Sequence, residues 1–340
     1  MIEKLVIGYL ITNYSCNNKC EWCYAAPAGF NKKEMDLTTA KNSLKLMKSV
    51  GINFVGLCGG DSTLYSHLFE VLLYAKKLGQ KVNIYTNGRK LAENEFVLKL
   101  KEAGINRVNF SVQSSSAKFH DEMVQVKGAF NETVKGIENC FQEGIPLTVQ
   151  TVVCHTKFKI YKEIMDKFSY SDPCYVFYRE IPKVNKNLFN AKVLSNKKTV
   201  EILRKIGIYA IKKDYTFELF SRMPLCWFDS KDLELFKGKL YAHCHILSGQ
   251  NLVVDVNGKV LPCPIWVGCH SMNLIKGKKF TSKKEFLRQW NEGSPVKLRK
   301  KLLYKPSNNC IDCKFWGKEC TAGCPLIPLE LPAKNQQQIN

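Results

Sequence analysis

Three cysteines, Cys16, Cys20 and Cys23, stand at the spacing CxxxCxxC, with Trp22 just before the third. Three thiolates on so short a loop can hold three irons of a cubane cluster and leave the fourth iron without a protein ligand, a position open to another molecule. A structural zinc site closes instead with four ligands, and no fourth cysteine or histidine lies nearby in sequence.

A second field of cysteines follows much later. Cys244 and Cys263 frame Gly258 in the pattern Cx13Gx4C, with Cys226 upstream, and Cys310, Cys313, Cys320 and Cys324 have the spacing Cx2Cx6Cx3C. Taken alone, the last four suit a zinc ribbon as well as an iron–sulfur cluster. The chain has 15 cysteines in 340 residues. An odd count leaves one thiol over in a disulfide scaffold, and a chain this long needs no such staples, so clustered cysteines here point to metal in a reducing compartment. Cys58, Cys140, Cys154, Cys174 and Cys269 remain outside both fields. Cys140 lies near the apolar face of a helical pattern and reads as core.

The elements that must carry these groups are legible as short β-branched runs alternating with helical patterns. Residues 4–12, 52–57, 81–86, 107–112, 147–153 and 175–181 read as strands. Between them Leu68, Val71, Leu72, Ala75 and Leu78 fall on one helical face, as do Val134, Ile137 and Phe141. Gly51, Gly79, Gly104 and Gly144 mark helix ends, each followed closely by the next strand. This pattern predicts an α/β fold with a parallel sheet, an open partial barrel of six βα units whose loops after the strands build the site. Residues 185–196 break the rhythm, and 197–213 are helical again. The expected division is a barrel over 1–184, a bridging region over 185–225, a cysteine-rich domain over 226–328 and a frayed tail over 329–340.

The cysteine loop directly after the first strand of a partial barrel resembles that of the radical SAM superfamily. The resemblance implies that the open iron binds S-adenosylmethionine (SAM) and that an electron from the cluster splits it to a 5′-deoxyadenosyl radical. It also carries over SAM-binding roles. Gly59, Gly60 and Asp61 correspond to the family's GGE motif, with Asp61 in place of Glu. Thr86 and Asn87 resemble its ribose-side turn, Ser111 and Gln113 its contact after strand four, and Arg179 its partner for the SAM carboxylate. The arginine that the family often has near His120 and Asp121 is replaced here by Val124, with Lys127 as the nearby alternative.

The second field is similar to the SPASM domain of radical SAM peptide maturases, which implies two auxiliary [4Fe–4S] clusters and three in all. By that resemblance Cys244, Cys263 and Cys324, with upstream Cys226, hold the first auxiliary cluster, and Cys310, Cys313 and Cys320 hold the second. Residues 255–259 read as the turn of its hairpin. The chain departs from the pattern in having six residues between Cys313 and Cys320 and no cysteine after Cys324, so the fourth ligand of the second cluster is left to Asp, His, Cys269 or a substrate atom.

The resemblance implies a peptide-modifying enzyme, using a flavodoxin or ferredoxin as electron donor. Cys154 and Cys269 are the candidate hydrogen-atom donors. A peptide leader is expected to bind the basic surface or arrive on a separate partner, since the barrel begins near residue 1. Maturation of a sulfatase-type protein and dehydrogenation of a small molecule are the alternatives within the same chemistry; a zinc-bearing nucleic-acid-binding protein is the alternative outside it. The formal charge of +21 suits anionic partners in general, but no basic run interleaved with aromatics marks a nucleic-acid groove. No run of eighteen apolar residues occurs, and the apolar stretch 5–12 runs straight into polar residues and cysteines, so a cytoplasmic protein without membrane span or signal peptide is expected.

Overall fold

The computed structural model describes residues 2–20, 22–25, 33–179, 194–221, 223–267, 270–302, 310 and 312–324. The expected alternation holds through the first half of the chain. In order come β1 (Ile7–Asn13), α1 (Leu37–Ser49), β2 (Phe54–Gly59), α2 (Leu68–Lys77), β3 (Lys81–Thr86) and α3 (Asn94–Glu102). They are followed by β4 (Arg107–Ser111), α4 (Ala117–Val124), α5 (Ala129–Gln142), β5 (Leu147–Val153), α6 (Phe158–Phe168) and β6 (Cys174–Arg179). The six strands lie in the order 1-2-3-4-5-6, every neighbour parallel, as successive right-handed βα crossovers demand.

Local chemistry explains most boundaries. Asp36 caps α1, its carboxylate accepting the Thr39 N–H at 2.9 Å. Gly79 and Gly144 leave their helices at φ of 65° and 68°, the left-handed region that a side chain would resist. The apolar stripe of α2 is buried at Leu68, Val71, Leu72 and Ala75. In α5 the expected face is corrected at one position: Ile137 and Cys140 are fully buried, whereas Phe141 is 46 % exposed and packs edge-on against Tyr170 at 5.7 Å. Phe130, one residue into the helix, takes the buried place instead.

The second half continues with α7 (Asn196–Lys212), β7 (Phe217–Phe220), α8 (Ser230–Leu235), β8 (Leu240–Tyr241), α9 (His245–Ser248), β9 (Asn251–Val254), β10 (Lys259–Leu261) and β11 (Met272–Asn273). A small hairpin of β12 (Ile275–Lys276) and β13 (Lys279–Phe280) precedes α10 (Lys283–Glu292) and α11 (Ser294–Leu302). The described part of the bridging region therefore holds a strand as well as a helix. β7 pairs parallel with β6 and β8 with β7, while β9 pairs parallel with β1 and turns back through β10 to β11, giving one sheet of eleven strands. The cysteine-rich region thus shares its sheet with the barrel. Its predicted turn is present: Asp255 Oδ1 accepts the N–H groups of Asn257 and Lys259, both at 2.9 Å.

The bridging helix is fastened by shape and charge. Phe236 is fully buried against Gly207 of α7, where an added Cβ would come within 2.4 Å of its ring. Arg204 of the same helix donates to Asp232 at 2.7 and 2.9 Å and to Asp229 at 3.0 Å, a two-pronged pairing that fixes direction. Among the described residues no helix is long and apolar enough to cross a membrane. Because Phe236 fills the space that Gly207 leaves, Phe236→Ala should lower unfolding free energy by about 3–5 kcal/mol, read from the denaturation midpoint.

Candidate functional site

The loops leaving β1, β2 and β3 meet at one buried carboxylate. Asp61 is 1 % exposed and accepts hydrogen bonds from the Thr63 N–H (2.9 Å) and hydroxyl (2.5 Å), the Thr86 hydroxyl (2.8 Å to both oxygens) and the Asn87 N–H (2.8 Å). Its side chain therefore ties the end of β3 to the turn after β2. The backbone on either side of it holds the cysteine loop. Gly60 N–H donates to the Asn13 carbonyl at 2.9 Å and Asp61 N–H to the Ser15 carbonyl at 2.8 Å. Asn13 Nδ2 returns a bond to the Asp61 carbonyl at 2.9 Å. A Cβ on Gly59 would fall 2.1 Å from the Asn13 oxygen, and one on Gly60 would fall 2.1 Å from the Ser15 oxygen. The glycine pair is needed because the cysteine loop lies directly upon it.

Around this contact the loop is braced from three sides. Asn87 Nδ2 donates to Asn17 Oδ1 at 2.6 Å and reaches the Cys16 sulfur at 3.8 Å. Arg89 donates to the Asn17 carbonyl and, at 3.2 Å, to Asn18 Oδ1, and is itself paired with Glu132. Lys19 N–H donates to the Val124 carbonyl at 3.0 Å, so the residue at the family's arginine position supports the loop through its backbone. Lys127 is exposed. Tyr24 closes the far side, donating its hydroxyl to the Gly59 carbonyl at 3.2 Å.

The other expected contacts are distributed around the later strand ends. Ser111 is half-buried at the end of β4. Gln113 is buried, its Oε1 accepting the Val152 N–H at 3.2 Å. Arg179 ends β6, 5 % exposed, and its guanidinium donates to Asn196 at the start of α7. Cys154 lies half-buried in the loop after β5 beside His155. Cys269 lies outside the described residues.

Sequence reading missed the inner face of the sheet. Tyr9 and Tyr85 lie 6.1 Å apart across Gly56, whose Cβ would strike both rings. Tyr178, Phe220 and Tyr241 stack in a row at 4.9 and 4.8 Å, in register across β6, β7 and β8. Gln150 Nε2 donates to the Tyr178 hydroxyl at 3.3 Å. These rings are half-buried or exposed, a polar and aromatic lining of the kind that receives organic ligands.

The thiols suit iron–sulfur clusters. Burial first, then Asp61, pushes the Cys16 thiol up to about 12, and burial with the neighbouring Cys23 and Cys16 sulfurs raises Cys20 as well. Thiols so placed resist ionising together unless cationic iron lies among them. Asn18 N–H at 3.4 Å and Asn87 Nδ2 supply donors to the Cys16 sulfur. In the second field Ile265 N–H faces Cys263 and Ala322 N–H faces Cys320, both at 3.4 Å. The buried indole N–H groups of Trp227, next to Cys226, and Trp266, near Cys263, have no partner among the described residues. Cluster sulfides and thiolates accept bonds of this kind. Beside Cys226, Leu225 packs on Cys320, and after burial the sulfurs of Cys320, Cys310 and Cys313 act on the Cys226 thiol and push it up. Among the described residues no three His, Cys, Asp or Glu groups close on a point that a single metal ion would occupy.

Comparison with known proteins agrees with this architecture. Residues 10–166 match the family model described as the radical SAM superfamily. An AdoMet-dependent heme synthase of Oleidesulfovibrio alaskensis is 31 % identical over 160 residues, covering 47 % of this chain and 41 % of the relative. An Fe-coproporphyrin III synthase of Methanosarcina barkeri is 31 % identical over 152 residues, covering 44 % and 37 %. The matched segment thus spans about two-fifths of these relatives' length. Streptococcus suis SuiB bound to the precursor peptide SuiA superposes with a TM-score of 0.73 at 16 % identity, covering 95 % of this chain and 72 % of that one. Native anSMEcpe with bound AdoMet and the Cp18Cys peptide gives a TM-score of 0.68 at 18 % identity, covering 94 % of this chain and 89 % of that one. These likenesses show a common fold extending through the cysteine-rich region.

The clamp at Asp61 and Gly60 predicts that Gly60→Ala, by pressing on the Ser15 carbonyl, displaces the cysteine loop. Stability should fall by about 1–3 kcal/mol, with reconstituted iron per chain falling by about four as the first cluster is lost; denaturation and iron analysis read the two effects.

Proposed function

We propose, for a chain whose residues 10–166 are a radical SAM domain, an enzyme that modifies a peptide by hydrogen-atom abstraction. Cys16, Cys20 and Cys23 would hold the SAM-binding cluster, with Gly59, Gly60, Asp61, Thr86, Asn87, Ser111, Gln113 and Arg179 forming the surroundings of SAM. Bound together, the cluster and SAM supply the 5′-deoxyadenosyl radical. The chain's own task is to place a target C–H bond and exclude competing groups.

The observation that carries the peptide reading is the extent of the fold. The relatives of 31 % identity match less than half of this chain. The likeness to SuiB and anSMEcpe, both solved with a peptide bound, extends over the cysteine-rich region and the strands joined to both sheet edges. The row of half-buried Tyr178 and Phe220 with exposed Tyr241 widens the lined surface beyond the six barrel strands, which suits an extended substrate. The surplus of positive charge suits an acidic leader, and Cys154, in the loop after β5, would serve as a hydrogen-atom donor. Auxiliary clusters in the second field would accept the electron that an oxidative cross-link releases.

Two measurements test this reading. Replacing Cys16, Cys20 and Cys23 together by Ala should abolish 5′-deoxyadenosine formation in anaerobically reconstituted protein and remove about four irons per chain; undiminished formation refutes the cluster assignment. Mass spectrometry of peptides co-expressed with the enzyme should find one that loses about two hydrogens per cross-link. Turnover of a tetrapyrrole with no peptide changed would instead support a small-molecule enzyme.

A further inference from the structure

We infer that Cys226 belongs with Cys310, Cys313 and Cys320, as the fourth ligand of the C-terminal cluster, and not with Cys244, Cys263 and Cys324. The inference rests on the proposed presence of clusters in both sets, and it changes which of them has four cysteines.

The local geometry comes from three short segments. Residues 225–227 form a single 3-10 turn after Pro224, which presents Leu225 and Cys226 side by side. Leu225 is buried against Ala242 and Cys320, with Phe315, Leu233 and Leu240 packed around them. The Leu225 N–H is aimed at the Cys320 sulfur, as a backbone donor beside a ligating thiolate should be. Cys226 follows directly, and its thiol feels Cys320, Cys310 and Cys313. Sulfurs that act on one another from four points around a small volume are what a cubane requires.

Cys244 is held through a separate contact. Cys320 forms an isolated parallel bridge with Ala242 and packs on Leu225. The next residue, Thr321, accepts the Cys244 N–H at 2.7 Å through its hydroxyl. Cys244 is then the cap residue of α9, from which the chain enters β9 and β10 toward Cys263. The 3-10 turn thus meets the field at Cys320, with Cys310 and Cys313 acting on the same thiol, while Cys244 meets it through Thr321. A cluster on Cys244, Cys263 and Cys324 would take its remaining ligand from a group other than Cys226.

Cysteine footprinting on the full, anaerobically reconstituted chain distinguishes the two groupings, because a ligating thiolate is shielded from iodoacetamide. In Cys310→Ser/Cys313→Ser, Cys226 and Cys320 should label at least about tenfold faster than in the unaltered protein while Cys244, Cys263 and Cys324 stay shielded. In Cys244→Ser/Cys263→Ser, Cys324 should label and Cys226 should stay shielded. The reverse pattern overturns the inference. Labelling of the buried Cys140 would reveal a variant that has failed to fold; in that event Cys226→Ser alone decides, by exposing Cys310, Cys313 and Cys320 or else Cys244, Cys263 and Cys324. If the unaltered protein binds no more than about four irons per chain and both sets label, the two-cluster reading itself is wrong. If Cys226 alone labels there while the other six are shielded, that reading stands and only the inference falls.

Discussion

A carboxylate removed from water must find donors on every side, and at Asp61 that requirement organises the front of the barrel. Its oxygens are satisfied by Thr63, Thr86 and Asn87, so the turns after β2 and β3 cannot move separately without leaving a buried charge unpaired. The N–H groups of Gly60 and Asp61 point the other way, into the backbone of residues 13–15. The position of Cys16 is therefore set by a carboxylate that need not touch it. Asp61 also lies close enough to raise the Cys16 thiol, so the group that anchors the loop simultaneously disfavours an isolated thiolate there. Bound iron reverses that balance.

This arrangement explains which parts of the site were legible in the sequence. A glycine pair after a strand, a Thr-Asn turn and a run of closely spaced cysteines each leave a local signature, because their constraints act within a few residues. Their mutual contacts do not. Asp61 and Thr86 are 25 residues apart and meet only because β2 and β3 are neighbours. Arg89 follows the Thr-Asn-Gly turn directly and was in plain view, yet nothing local distinguishes an arginine that braces Asn17 and Asn18 from one in solvent. Arg179 carried an expectation for SAM, while its guanidinium lies against Asn196, a residue placed there by the packing of α7.

The fold shows the same division. The six βα units are a local pattern, and β3 and β5 have the expected bounds. Phe141 followed the helical spacing and is nonetheless exposed, because α5 presents Phe130, Ile137 and Cys140 to the sheet. The joining of β9 to β1 has no sequence signature at all: β9 is a short apolar strand that continues the parallel register through Tyr9↔Val253 and Leu10↔Val254. The row Tyr178, Phe220 and Tyr241 becomes visible only once β7 and β8 are known to extend the sheet beyond β6.

Among the described residues, the C-terminal cysteine field around Cys320 has little burial to hold it. Around Cys320 the buried apolar set is Leu225, Ala242 and Cys320, backed by Leu233, Leu240 and Phe315, and the described residues of 312–324 contribute isolated bridges and turns rather than a strand or helix. At roughly 25 cal/mol per Å2 of apolar surface removed from water, so few side chains yield only a few kcal/mol, while fixing each backbone residue costs about 1–2 kcal/mol. The contacts that order this segment, Ala242 with Cys320 and Thr321 with Cys244, span nearly eighty residues of chain, which adds loop-closure entropy to the cost. Small cores of this kind are stabilised by covalent or metal staples. Thiolate–iron bonds of the proposed clusters would meet that need and would couple the folding of the region to its cofactor. The 3-10 turn at 225–227 that meets this field sets a cysteine beside a leucine: Leu225 supplies the small core, and Cys226 would supply the bond.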